Sequence, residues 1–354
     1  MASNAQKNTI YSLVLLVLVV SVYFWRSKTS SQETEILEIS SPGKVTFSGQ
    51  TMGTTYSLTY LTESGKNLQS SVDSLLVVFN NSLSTYIPDS EISQFNSADS
   101  LLFKLPYLPQ VLNASKKVFQ NTNGAFDPTI GPLVNVWGFG PGGPELKDST
   151  DISLLLDAVG FDKIQFDEKL VRKTKPGMYL DFSAIAKGQG VDAIADFLNK
   201  KGIENYLVEI GGELVAKGVN EKGELWKVGI NRPDESANAS DLYSIIALED
   251  RGMATSGNYR NYYVRDSVKI SHTINPATGY PVNHSLLSAT VLAKDCMTAD
   301  AYATAMMVMG LDRAIQLDST LSEIEVFLIY DDGKGGYGTF ASETLKPFLS
   351  FIQE

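Results

Sequence analysis

The chain has 354 residues, a net charge of −11, and 43% hydrophobic and 19% charged residues. That composition supplies the apolar material for one large or two ordinary folded domains and excludes a disordered chain. The acidic balance argues against nucleic-acid binding, which draws on Lys and Arg. One cysteine, Cys296, and two histidines, His272 and His284, exclude an intrachain disulfide, a Cys-rich zinc site and a multi-His centre, so a metal here would be a hard cation on oxygen ligands.

In chain order, residues 1–8 form a short polar N-terminus. Thr9–Trp25, TIYSLVLLVLVVSVYFW, is uncharged and dense in Leu and Val. It sits at the short end of the roughly 17–25 residues that cross a bilayer. No small-residue cleavage site follows it and no lipoprotein cysteine is present, so it reads as an uncleaved membrane anchor. Lys7 precedes it and Arg26 and Lys28 follow, a count that favours a cytoplasmic C-terminal side. Residues 26–44, rich in Ser, Thr and Glu over Ser27–Ser41, read as a tether, and residues 45–354 as the folded part.

Alternation predicts a strand over Thr55–Tyr60. Helical spacing follows over Leu68–Leu83. Leu83–Asn96 reads as a loop turned by Pro88 and Asp89. Leu108–Gln120 reads as a helix closed by Asn123-Gly124, Phe126–Gly143 as a Gly/Pro/aromatic loop, Met178–Phe182 as a short strand, and Gly188–Lys200 as an amphipathic helix ending at Gly202. From Tyr206 short strands dominate (YLVEI, LVAKGV, WKVGI, YSIIAL, NYYVR, LSATVLA, EVFLIYDD), interrupted by one helix, Ala299–Met309, and by a hairpin turn at Asp332-Gly333. Beyond Asp312 no motif stands out, and strands complete the sheet. Without βαβ alternation the class is α+β.

Five segments carry residue types suited to chemistry. Thr51-Met52-Gly53-Thr54 is either a close backbone approach for a ligand or a strand start. NGAFDPTIGPLVNVWGFG, Asn123–Gly140, suits the wall of a planar-ligand pocket or a long structural loop. DFSAIAKGQGVD, Asp181–Asp192, is a strand-to-helix turn whose N–H groups and Lys187 suit a phosphate, though its Gly spacing is not that of a P-loop. Met253–Pro281 holds Ser256, Arg260 and His272 without the G-x-S-x-G elbow of a serine hydrolase. In TADAYAT, Asp300 and Thr304 are spaced i, i+4 on an otherwise apolar helix face. Either they hold a hard cation, or Asp300 helps cap the helix while Thr304 bonds back to a carbonyl.

Together and in order, TMGTTYSL, LSTYIPDSEISQFN, GAFDPTIGPLVNVWGFG, DFSAIAKGQGVD, EIGGEL, ATSGNY, SHTINPATGYPV and TADAYATA resemble the ApbE family of flavin transferases, over about Gly49–Leu311. The resemblance implies a T-fold-related α+β fold with mixed sheets and helices, preceded here by the N-terminal anchor helix. It implies a Mg²⁺-dependent FAD:protein FMN transferase that cleaves FAD, releases AMP and joins FMN by a phosphoester to a Thr or Ser of a target flavoprotein. Such targets are subunits of Nqr- or Rnf-type membrane redox complexes, which puts the catalytic domain on the periplasmic side of the inner membrane. By the same resemblance Met52, Tyr86, Ala125, Phe126, Asp127, Asp181, Lys187 and Ile274 contact FAD. The Ala184 carbonyl, Asp300 and Thr304 hold Mg²⁺, and His272 is a candidate general base. The rival readings are an FAD pyrophosphatase on the same scaffold and a membrane-tethered flavin-binding protein without chemistry.

Overall fold

The alternation over Thr55–Tyr60 belongs to a hairpin whose turn is built by two residues with positive φ, Met52 (50°) and Gly53 (73°), the signature of a tight primed turn. What the sequence left open as a strand start is therefore a hairpin tip. The computed structural model describes residues 43–140, 152–234, 241–258, 262–265 and 268–352, with the backbone alone at 262–265, 268 and 269. The anchor expected over 9–25 lies outside these residues. Among the described residues no helix is long and apolar enough to cross a membrane.

The chain runs β1 (Gly43–Thr51), β2 (Thr54–Thr62), α1 (Gln69–Leu83), α2 (Glu91–Ser97), β3 (Ser100–Leu102), α3 (Tyr107–Asn121), α4 (Gly131–Val136), α5 (Ile152–Leu156), β4 (Ile164–Phe166) and β5 (Leu170–Lys173). It continues through α6 (Ala186–Lys200), β6 (Tyr206–Ile210), β7 (Glu213–Lys217), β8 (Trp226–Asn231), β9 (Leu242–Leu248), β10 (Arg251–Gly257), β11 (Tyr262–Arg265), β12 (Val268–Ser271) and β13 (Leu286–Ala293). It ends with α7 (Cys296–Met309), α8 (Leu311–Thr320), β14 (Ile324–Asp331), β15 (Tyr337–Ala341) and β16 (Leu349–Phe351).

Eight strands make one antiparallel sheet, β1-β2-β6-β7-β10-β13-β14-β15. The period of two sends its side chains to opposite faces. Val326 and Leu328 of β14 join a core with Ala254, Ala289 and Val291 beneath the helices. Phe327 and Ile329 join Leu214, Ala216 and Trp226 beneath the smaller sheet β16-β9-β8. The sheet is thus covered on both faces, which is why its strands read as nearly continuous apolar runs.

Four sequence expectations are corrected. Within the supposed Leu83–Asn96 loop, Ser90 caps the short helix α2 by accepting from Ser93 N at 3.2 Å. Its first residue, Glu91, is buried and accepts from Ser82 Oγ at 2.6 Å and from the N–H groups of Lys104 and Leu105 at 2.7 and 3.0 Å. Within the supposed Phe126–Gly143 loop, α4 forms with Pro132 in its first turn; residues 141–143 lie outside the described ones. Met178–Phe182 is no regular strand, since only Tyr179 bridges, to Ile130. After Asp312 the chain first forms α8, whose start is set by Gly310 (φ 77°), before returning to the sheet.

Helices α6 and α7 lie across the sheet and press against each other. A Cβ on Gly188 would stand 2.4 Å from the Cys296 carbonyl oxygen and 2.8 Å from Met297 Cα, both backbone atoms of α7. Asp192, one turn further along α6, accepts from the N–H groups of Cys296 and Met297, each at 2.8 Å, and Asp295 accepts from Thr298 N at 2.8 Å. Two aspartates therefore serve three of the four free donors at the start of α7. Gly188→Ala should lower the unfolding free energy by about 1–3 kcal/mol, as overpacking of a tight contact does; urea melts of the two proteins measure it.

Candidate active site

The glycine-rich segment predicted as a ligand wall is pinned to the start of DFSAIAKGQGVD. Ile130 bridges Tyr179, and Asp181 N donates to the Pro128 carbonyl at 2.8 Å. A Cβ on Gly131 would fall 2.3 Å from the Tyr179 ring, so the two segments approach closely only with glycine there. Asn96, the last residue of SEISQFN, pairs both ways with the Leu180 backbone at 2.9 and 2.8 Å. These bonds set the position of Asp181.

Between this pair, α6, α7, β10 and the segment after β12 lies a cavity of about 730 Å³, within the size range of small-molecule sites. Ala125, Phe126, Asp127, Asp181, Ala184, Lys187, His272, Ile274, Asp300 and Thr304 all line it. Of the predicted site residues only Met52 and Tyr86 do not. Met52 sits at the β1–β2 turn with its Sδ–Cε end packed where a Cβ on Gly190 would be. Tyr86 is 69% exposed and lies near Tyr179, whose phenol is pushed up by burial and further by Asp181 and Tyr86. Arg260 lies outside the described residues.

The acidic residues of the wall divide into two kinds. Asp127 spends both oxygens on the protein: Oδ1 accepts from Thr129 N and Oγ1 at 2.8 and 2.5 Å, and Oδ2 from Phe161 N at 3.2 Å. Burial nevertheless pushes its carboxyl to about 6, against those hydrogen bonds. Asp181 accepts from Ser183 N at 2.8 Å. Asp300 and Glu213 are different. They are buried beside Lys187, which pairs with Glu213. Burial raises the Glu213 carboxyl to about 7, Lys187 opposing and Asp300 adding; Asp300 is raised by burial against the pull of Lys187. Burial alone would lower Lys187, but Asp300 and Glu213 outweigh it and hold the ammonium above its ordinary range.

The reading of Asp300 as a helix cap and of Thr304 as bonded back to a carbonyl does not hold. The cap of α7 is Asp295, with Asp192, not Asp300. Asp300 Oδ2 instead accepts from Gly188 N of α6 at 3.0 Å. Gly188 thereby gives its N–H away from the carbonyl four residues back, leaving the Ala184 oxygen without its helical donor. The Thr304 hydroxyl pairs with Ser256 Oγ at 3.2 Å, not with a helix carbonyl. Ala184, Asp300 and Thr304 therefore line one cavity, and the buried Glu213 Oε2 has no hydrogen-bond partner. Two carboxylates beside one ammonium are costly to keep ionised once buried, which is why both are raised toward their neutral forms; a bound cation would favour the ionised forms. Among the described residues no group of three or more His, Cys, Asp or Glu could hold a metal. The donor set here is instead the mixed hard-oxygen kind that suits Mg²⁺, Ca²⁺ or Mn²⁺.

His272 reaches the same cavity, its ring edge-on to Phe139 with centroids 6.2 Å apart. Glu213 escaped the sequence reading. Its signal was the Gly211-Gly212 pair before it, both with positive φ (59° and 100°), which turns the chain between β6 and β7 at the cavity edge.

The sequence model of the ApbE family matches residues 52–328. The chain belongs to the ApbE family. It is 42% identical over 320 residues to an FAD:protein FMN transferase of Vibrio cholerae, covering 87% of this chain and 93% of that protein. It is 37% identical over 305 residues to one of Haemophilus influenzae, covering 82% and 88%. The solved structure of the flavin transferase ApbE from Vibrio cholerae superposes with a TM-score of 0.77 at 39% identity, covering 87% of this chain and 99% of that one.

Asp127 yields a pH test. Its carboxyl titrates near 6 when folded and near 3.8 when free. The contribution of Asp127 to stability is therefore fully present below about pH 4 and is lost as the pH rises through about 6, by about 3 kcal/mol for a shift of some two units. Asp127→Asn has no carboxyl to ionise. Urea midpoints of this variant should lack that fall, and a parallel fall in both proteins would remove Asp127 as its source.

Proposed function

We infer that this chain is an FAD:protein FMN transferase: it cleaves the FAD pyrophosphate, releases AMP and leaves FMN as a phosphoester on a Thr or Ser of a target flavoprotein. The observation that carries this reading is the convergence of Lys187, His272, Asp300, Thr304 and the Ala125–Asp127 wall on one cavity in a chain of the ApbE family. The aromatic and backbone wall at Ala125, Phe126 and Ile274 suits the flavin. Asp181 and Lys187 lie where a polar chain and its phosphates would run, Lys187 giving a fixed positive charge at the start of α6.

The Ala184 carbonyl, Asp300 and Thr304 would hold Mg²⁺, which when bound supplies charge neutralisation for a pyrophosphate whose leaving group is AMP. Asp300 is positioned for this by Gly188 N, and Lys187 is held in its charged form by the two carboxylates. His272 takes the proton of the incoming hydroxyl, a role that imidazole side chains commonly fill. The phosphoester bond forms from that oxygen to the FMN phosphorus as the bond to AMP breaks. Alignment of the acceptor hydroxyl in place of water decides transfer over hydrolysis.

We place residues 9–25 in the inner membrane as an anchor, residues 26–44 as a tether, and residues 45–354 at the periplasmic side. There the acceptor would be a subunit of an Nqr- or Rnf-type redox complex. The apolar segment supports the anchor, and the periplasmic side rests on the family resemblance, against the count of flanking charges.

The full chain in detergent, with FAD, Mg²⁺ and a Thr-bearing acceptor, should release AMP and add one FMN to the acceptor's intact mass. AMP and free FMN without a mass gain would make it a pyrophosphatase, and uncleaved bound FAD would leave a binding protein. Asp300→Ala should abolish Mg²⁺-dependent AMP release; full activity in that variant would remove the metal assignment. His272→Ala should cut turnover by about 10²–10⁴-fold, the usual scale of acid–base catalysis, with little change in FAD affinity. A loss confined to affinity would move His272 from chemistry to binding.

A further inference from the structure

Ser256 of β10 and Thr304 of α7 meet hydroxyl to hydroxyl in the cavity wall, 3.2 Å apart. A hydroxyl carries one proton and two lone pairs. A helical Ser or Thr commonly returns that proton to the carbonyl four residues back, as Ser74 does to Ser70 at 2.8 Å. Thr304 does not; among the described residues its hydrogen-bond partner is Ser256. Ser256 is itself held in register opposite Ala289 by the β10–β13 ladder, so its oxygen arrives from a rigid sheet.

We propose that Ser256 is a positioning residue for the cation site: it accepts the Thr304 proton and so turns a Thr304 lone pair toward the cation that Asp300, one helical turn away, also binds. The proposal rests on the reading that Asp300 and Thr304 hold Mg²⁺. Its physical content is a choice between two hydrogen bonds. A proton given to the helix carbonyl would swing the hydroxyl along α7, whereas a proton given across to β10 leaves the outer lone pair facing the cavity. A partner behind a metal ligand usually changes affinity by about 10–100-fold when removed.

The test titrates Mg²⁺ into the full chain by calorimetry in four proteins: wild type, S256A, S256T and D300A, each checked for folding by circular dichroism. S256A should weaken Mg²⁺ binding by about tenfold. S256T, which keeps the hydroxyl, should restore most of it. In turnover of FAD, the half-saturating Mg²⁺ concentration should rise in S256A by more than kcat falls. Should S256A not fold, S256C carries the same comparison, because a thiol is a weak acceptor. Wild-type Mg²⁺ affinity in S256A with binding lost in D300A would overturn the proposal while leaving the metal site intact. Equal losses in S256A and S256T would overturn it too, by assigning the effect to packing. Wild-type affinity in D300A would instead remove the metal reading, and the role of Ser256 with it.

Discussion

The contact between α6 and α7 at Gly188 is the constraint on which the rest of the site depends. With no side chain at 188, the helices approach until the Gly188 N–H reaches Asp300 at 3.0 Å and Asp192 reaches the first N–H groups of α7 at 2.8 Å. Each helix thus supplies a carboxylate to the amino-terminal donors of the other, where the macrodipole favours negative charge. The exchange does more than join two helices. It places Asp300 at the start of α6, beside Lys187, and withdraws a donor from the Ala184 carbonyl. An arrangement that first satisfies the termini of helices thereby brings Ala184, Asp300 and Thr304 to the wall of one cavity.

This geometry explains why the amphipathic helix and the apolar one were both legible in the sequence but their relation was not. The period of Gly188–Lys200 and the uniform small and apolar character of Ala299–Met309 announce a surface helix and a buried one; Ala299, Ala301, Ala303 and Ala305 are all buried. The short strands from Tyr206 onward were equally plain, because apolar runs bounded by turn residues mark strands even where both faces are covered. The elements that were misread share a cause. Helix α2 is short and depends on the Ser90 cap and on donors from Lys104 and Leu105 that reach the buried Glu91. The Met178–Phe182 run is apolar, yet its neighbours are the Ile130 bridge and the Asn96 side chain rather than a ladder. Local pattern cannot reveal partners that lie tens of residues away.

The candidate site was legible as a set of motifs before it was legible as a place. Asp300 and Thr304 were paired by helical spacing, but spacing alone left capping and back-bonding open. The structure closes both, through Asp295 and Ser256. Glu213 was hidden because a Glu at the start of a strand carries no periodic signal. Only the fold turns it beneath Lys187 with one oxygen unpartnered. Met52 and Tyr86 stand outside the cavity wall, at a hairpin tip and on an exposed turn near Tyr179.

The charge of the cavity then constrains its chemistry. Asp127 and Asp181 bind backbone donors, so they shape the wall around Phe126 and Ser183. Asp300 and Glu213 share Lys187 and are raised by burial toward their neutral forms; where both ionise, an anion entering the site would be repelled at low effective dielectric. An acidic cavity therefore accommodates a pyrophosphate only when positive charge enters with it or before it. Lys187 cannot meet that need by itself, since its charge is already committed to Glu213 and Asp300. On the proposed reading, a hard cation held by Ala184, Asp300 and Thr304 would offset carboxylate charge, so cation and substrate would each make the site more favourable for the other.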